Sequence, residues 1–273
     1  MEIPSSDIPA TLSAHTAESY DMSIRFLSDG LIFSLSDTEG KPCSTCAYPF
    51  DSGAEDYCAA VKELFFHYQH LTFPYRRVHV SYRPDSYVLI PRALYEEGRA
   101  DYWLRTAVHL ADEGKGVAVM EYNLPHQDKM LILAWDKPLY EFLRRTQVGT
   151  EFAPDFIPFF KETERQSRQH TAKRAALNLR HDKLDLFVFE GGSLLFANTY
   201  NLTDNQGIRS VEEEVLFYLV TVWKSLRLDI EHDRIVICIQ PNVRDHSVGK
   251  DDLRQTLEPF FRHIELCKEA GLM

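Results

Sequence analysis

Asp29-Gly30-Leu31-Ile32-Phe33 has a counterpart in Asp182-Lys183-Leu184-Asp185-Leu186. The correspondence extends outward from there. The turn at Glu39-Gly40 is matched by Gly191-Gly192, Ala47-Tyr48 by Thr199-Tyr200, and Leu64-Phe65-Phe66 by Leu216-Phe217-Tyr218. Arg77-Val78-His79-Val80-Ser81-Tyr82-Arg83-Pro84 is matched by Arg234-Ile235-Val236-Ile237-Cys238-Ile239-Gln240-Pro241. The offset stays at about 150 residues, far too long a period for a solenoid, so the chain reads as two similar domains in tandem.

Alternation and turn residues define the elements of each half. In the first, Ser23 to Leu27, Leu31 to Ser36 and Pro42 to Tyr48 read as strands separated by Ser28-Asp29-Gly30 and Asp37-Thr38-Glu39-Gly40-Lys41. Ala54 to His70 reads as a helix, with Val61, Leu64, Phe65 and Tyr68 on one face. Val78 to Tyr82 is a fourth strand. In the second half the strands are Ala175 to Leu179, Leu184 to Glu190 and Leu194 to Leu202. Ser210 with Glu213 is a capping box that opens a largely buried helix to about Leu226. Ile235 to Ile239 is a strand buried on both faces, and Lys250 to Cys267 a final helix bent at Pro259. Each half is a three-stranded meander, a helix and a fourth strand. The meander gives antiparallel pairs, and the helical return favours a parallel crossover.

The first half carries extra material. Tyr87 to Ile90 is a short strand, Arg92 to Leu110 a helix that Pro91 could open, and Val117 to Tyr122 with Met130 to Trp135 a pair of strands. Pro138 starts a helix to about Thr146, and Pro154 and Pro158 break the chain. The expected organisation is a loose leader over 1–20, a first domain over 21–165 with this insertion, and a smaller second domain over 166–273.

A net charge of -11 over 273 residues argues against broad polyanion binding. Arg165, Arg168, Lys173, Arg174 and Arg180 form a local basic run. It reads as a solvated helix or linker in preference to a nucleic-acid patch, because no aromatic residues are interleaved for stacking. No segment resembles a secretory signal, and the most apolar stretch, Val215 to Leu228, is interrupted by Lys224 and Arg227. A soluble cytoplasmic protein is therefore expected, or at most one held to a membrane by a partner, and the odd number and low density of its five cysteines in that setting point to reduced thiols. Cys43 and Cys46 fall on opposite sides of a strand, which suits neither a redox pair nor a metal site. His67 and His70 lie three apart on the expected helix, without a carboxylate at matching spacing.

On this order of elements, the doubling and segments such as Val88-Leu89-Ile90-Pro91, the chain from about Met22 to Cys267 resembles the actin-like superfold of actin, sugar kinases and heat-shock chaperone ATPases. It also looks like a bacterial family of unknown function in that superfold, domain-of-unknown-function family 3822. The resemblance implies an α/β, ribonuclease H-like fold of two tandem βββαβ-type domains, with an interdomain cleft in which members of the superfold bind ATP and magnesium. Each domain normally offers Asp-x-Gly, then Thr, Ser or Gly, between its first two strands. Glycine lets backbone N–H groups approach phosphate, and the carboxylate holds hydrated magnesium.

Here the first such turn reads Ser28-Asp29-Gly30-Leu31, with the Asp and Gly adjacent and no hydroxyl residue following. The second, His181-Asp182-Lys183-Leu184, has no glycine, and the glycine pair with which the superfold usually grips the nucleoside late in the second domain is missing, since the chain after Ile239 reads Gln240-Pro241-Asn242. Asp29, Gly30 and Asp182 are therefore the candidate cofactor-binding residues, and a structural-turn role suits them better. No catalytic residue and no metal ligand is assigned. The favoured expectation is a non-catalytic interaction or scaffold protein without a cofactor, holding a protein partner or a second copy through the cleft or an exposed strand edge. The competing expectation is a divergent ATPase or small-molecule kinase that binds Mg-ATP around Asp29 and Asp182.

Overall fold

Turn residues set the strand boundaries. Ser28 and Asp29 reverse the chain between β1 (Asp21–Leu27) and β2 (Gly30–Ser36). Before β3 (Pro42–Pro49), the Asp37 carboxylate accepts from the amides of Glu39 and Lys41, both at 2.9 Å. The computed structural model describes residues 8–50, 56–84, 86–107, 116–180, 183–202, 210–240 and 250–267. The chain divides into two compact units, residues 2–155 and 156–273.

In the first unit the sheet order is β3-β2-β1-β4-β8, with β4 at Arg77–Tyr82 and β8 at Glu151–Pro154. β1, β2 and β3 pair antiparallel, whereas β4 runs parallel to β1 and to β8. Helix α1 (Tyr57–His67) is capped by Asp56, whose carboxylate accepts from Ala59 N at 2.7 Å. Its Val61, Leu64 and Phe65 join Met22, Ile24 and Phe26 of β1 and Leu31, Phe33 and Leu35 of β2 in one core. Ile8 and Leu12 pack against that core and Ala17 is fully buried, so this part of the expected leader is ordered on the domain.

The insertion lies between β4 and β8. It is an antiparallel sheet of order β5-β7-β6, from β5 (Ser86–Pro91), β6 (Val117–Leu124) and β7 (Lys129–Asp136). Helix α2 (Ala100–Ala107) starts later than Pro91 suggests. Arg92–Leu94 is a single 3-10 turn, and Gly98 takes φ 81°, which ends any continuation. The expected helix residues 108–110 lie outside the described residues. Helix α3 (Lys137–Thr146) starts where Pro138 indicates, with Asp136 accepting from Leu139 N at 2.7 Å.

The second unit has the order β11-β10-β9-β12-β13, from β9 (Arg174–Arg180), β10 (Lys183–Glu190), β11 (Ser193–Asn201), β12 (Arg234–Ile239) and β13 (Ile264–Leu266). The pairing senses repeat those of the first sheet. The capping box of Ser210 and Glu213 is present at the start of α5 (Val211–Ser225). Val215, Leu219, Val222 and Trp223 of α5 and Leu253 and Leu257 of α6 (Lys250–Leu257) cover one face of the sheet. The final helix therefore ends at Leu257, short of the expected Cys267, because the chain turns back to add β13 beside β12.

The other face is covered by a helix that the sequence reading did not expect. Pro158 does not break the chain. It occupies the first turn of α4 (Ile157–Arg168), where its missing N–H has no partner to lose. Phe156 and Phe160 pack against Phe187 and Phe189 of β10, with ring centroids 4.9 to 5.4 Å apart. Among the described residues, no helix is long and apolar enough to cross a membrane.

Candidate functional site

The β1–β2 turn is tied down on both sides. The Asp29 carbonyl accepts from Phe50 N at 2.9 Å, and Tyr57, the first residue of α1, donates its hydroxyl to the Leu27 carbonyl at 2.8 Å. Gly30 is buried and paired with Leu27 on one side and Pro49 on the other. It is thus a strand residue in a three-stranded hairpin register. Asp182, the third candidate, lies outside the described residues.

The strands flanking Asp182 carry a polar cluster that the sequence reading missed. Arg180 Nη2 donates to Asp185 Oδ1 at 2.5 Å, and Thr199 Oγ1 donates to the same oxygen at 2.7 Å. Asn178 Nδ2 donates to Asp185 Oδ2 at 2.8 Å, and Gln240 Nε2 donates to Asn178 Oδ1 at 2.7 Å. The cluster cross-links β9, β10 and β11 with Gln240, the residue that follows β12. Both ionic side chains are 0% exposed. The Asp185 carboxylate thus accepts from three donors in a dry site, one of them the charged Arg180 guanidinium. The signal for the cluster was in the sequence: Asn178 and Asp185 are polar residues among the apolar positions of two buried strands. In the first sheet the position opposite Arg25 on β2 is Ile32, an apolar residue where the second sheet has Asp185 opposite Asn178.

The basic run is corrected by the structure. Arg165 and Arg168 lie on a helix, α4, with their side chains largely exposed, but Arg174 and Arg180 are buried in β9, so that part of the run is neither solvated helix nor linker. Each of the four arginines faces a carboxylate: Arg165 with Glu162 at 2.7 Å, Arg168 with Glu164 at 2.5 Å, Arg174 with Glu265 at 3.0 Å, and Arg180 with Asp185. Lys173 Nζ donates to the Leu226 carbonyl at 3.3 Å.

Cys43 is exposed and Cys46 buried, on opposite sides of β3. His67 ends α1, but His70 lies beyond it in a 3-10 turn, so the two do not share a helix. His70 Nε2 lies 2.8 Å from the Tyr48 hydroxyl, among Phe33, Tyr48 and Tyr68. Burial lowers the His70 pKa and, with Cys46 adding to the effect, raises that of Tyr48. Among the described residues, no three His, Cys, Asp or Glu side chains are grouped to hold a metal ion.

β11 is an edge strand of the second sheet. Among the described residues it bonds to no strand beyond β10. Its sequence, Ser193-Leu194-Leu195-Phe196-Ala197-Asn198-Thr199-Tyr200-Asn201, has neither charge nor proline. One bulge falls where Phe189 pairs with Leu194 and Val188 with Phe196.

Solved structures define the class. A Bacteroides thetaiotaomicron protein described as having an actin-like ATPase fold and unknown function matches with TM-score 0.80, 24% identity and 96% of each chain covered. A structure of the PilM-PilN type IV pilus biogenesis complex matches with TM-score 0.51 and 12% identity, covering 90% of this chain and 88% of the other. The chain has the actin-like ATPase fold. It belongs to the family described as "Protein of unknown function (DUF3822)", which it matches over residues 9–264. No curated protein matches it.

Proposed function

We propose that this is a non-catalytic interaction protein that works as a two-fold assembly joined through β11. The observation that carries the reading is the contrast between two edge strands at the same position of their sheets. β3 begins and ends with proline. β11 has nine residues without proline or charge, and among the described residues the bulge at Leu195 is its one irregularity. Open edges of this kind pair with other strands unless charge, proline, brevity or bulges prevent it. Antiparallel pairing of two β11 strands is isologous, so it closes on a dimer and does not propagate. The cross-links through Asp185 and Thr199 stiffen the edge strand from within, which lowers the entropy lost on pairing. A chain similar to this one occurs in the PilM-PilN type IV pilus biogenesis complex. The assembly acts in the cytoplasm, in keeping with its acidic charge and free cysteines, and needs no cofactor.

Light scattering over a range of concentrations tests this. The wild-type mass is expected to rise from one chain to two. Leu195→Lys with Asn198→Lys changes two exposed side chains and sets lysines against each other across the two-fold. That variant stays at one chain with an unchanged circular dichroism spectrum. A wild-type mass of one chain at every concentration would overturn the reading.

A further inference from the structure

In the first unit, α1 and α3 run side by side in the same direction. Phe142 meets Phe65 at 5.3 Å and Lys62 at 5.9 Å, and Gln147, just past α3, donates its side-chain amide to the carbonyls of Leu71 and Phe73, just past α1. Two adjoining depressions follow the exposed flank of α3, of about 620 and 450 Å³. Four cations line them: Lys62, Lys137, Arg144 and Arg145. Among the described lining residues Glu141 is the one acid, and it reaches Arg145 at 3.5 Å. This surface is cationic on a chain of net charge -11. Lys137 and Arg144 are two helical turns apart, about 10 Å along the axis.

That spacing selects the ligand. A compact anion such as phosphate spans one or two of these cations, whereas an extended chain with several carboxylates meets all of them. A nucleic acid would need open aromatic faces for its bases, yet Lys62 lies over the Phe142 ring and Arg144 over the Tyr140 ring. The groove also has an apolar border. Phe66, one helical turn beyond Lys62, is 88% exposed, and Val148, three residues after Arg145, is 90% exposed. Both lie at the same end of the helix pair.

We propose that the exposed face of α3, with α1 on one flank and β6 on the other, docks an acidic segment of a protein partner, its carboxylates on Lys62, Lys137, Arg144 and Arg145 and its apolar side chains on Phe66 and Val148. Charge complementarity steers such a segment in, and the apolar contacts add residence time. The surface lies in the unit that does not contain β11, so it stands or falls apart from the dimer.

The probe is a fluorescent peptide of interspersed Glu and Leu, read by anisotropy against the full chain. Binding is expected to weaken as salt rises, because exposed charges are screened. Lys62→Glu with Arg144→Glu, both at exposed positions, loses at least about tenfold in affinity. Phe66→Ser weakens the Glu/Leu peptide several-fold but leaves an all-Glu peptide unchanged. Two further arms use inorganic phosphate as competitor and a single-stranded oligonucleotide of equal charge. Displacement by millimolar phosphate, tighter binding of the oligonucleotide, or a peptide affinity untouched by charge reversal would each overturn the proposal.

Discussion

Arg180 Nη2 lies 2.5 Å from Asp185 Oδ1, and both side chains are sealed from solvent at the end of the β9–β10 hairpin. An ion pair this dry is stabilising only relative to its own disruption, since removing one partner leaves the other charge buried. Asp185→Ala is expected to destabilise the protein by about 3–5 kcal/mol. Arg180→Met combined with Asp185→Leu recovers most of that loss, because no charge is then left in the interior. Urea denaturation followed by circular dichroism measures both. A single variant within about 1 kcal/mol of wild type would mean that solvent reaches the corner.

Much of the fold can be read from the chain, and the parts that cannot have specific causes. β1 to β4 and β9 to β12 show period-two or continuous apolar patterns bounded by Gly, Asp and Pro, so their order follows from local physics. β8 has four residues and β13 three, too few for a period to show. Pro158 reads as a break because proline both ends and opens helices, and only the packing of Phe160 on β10 decides between them. Arg174 reads as a surface residue because its partner Glu265 is 91 residues away. Asn178 and Asp185 stand out as polar residues in apolar strands, but Gln240, which completes the cluster, is 62 residues from Asn178. The edge of β11 is legible as an uncharged strand. That no described strand pairs beyond it is a property of the sheet.

Glu265 fastens β13 to the sheet through Arg234 at 2.5 Å and Arg174 at 3.0 Å. Burial pushes its carboxyl up, but the hydrogen bonds from Arg234 and Arg174 outweigh this and hold it below the usual glutamate range. A folded pKa below the unfolded value of about 4.3 means that the unfolded chain binds the proton more readily. The stabilisation is therefore fully present above about pH 4.3 and fades as pH falls through the folded value. Glu265→Gln is expected to lose about 1 kcal/mol at neutral pH, a modest figure because the carboxylate is more than one-third exposed. The gap between variant and wild type should close as the pH falls below about 4. Melting curves at stepped pH measure it, and a gap that is constant into acid would contradict the assignment.

Gly191 and Gly192 form one turn but answer to different constraints. Both have positive φ, 55° and 85°. A Cβ on Gly191 meets nothing within 4 Å, whereas one on Gly192 would lie 2.3 Å from Arg168 Cγ. The Gly192 amide also donates to Ser167 Oγ at 3.1 Å, so α4 and the β10–β11 turn are locked together at this point. Gly191→Ala should lose about 1–2 kcal/mol, the strain of a left-handed backbone with a side chain. Gly192→Ala should lose that and more, since the Arg168 stem must move and its 2.5 Å contact with Glu164 goes with it. Arg168→Ala removes the obstructing atoms. It should return part of the loss in the Gly192→Ala background and none in the Gly191→Ala background, a coupling that a double-mutant cycle isolates. Equal losses for the two alanine variants in urea denaturation would show that α4 shifts freely over the turn, and the docking of α4 would then be looser than the Arg168–Gly192 contact implies.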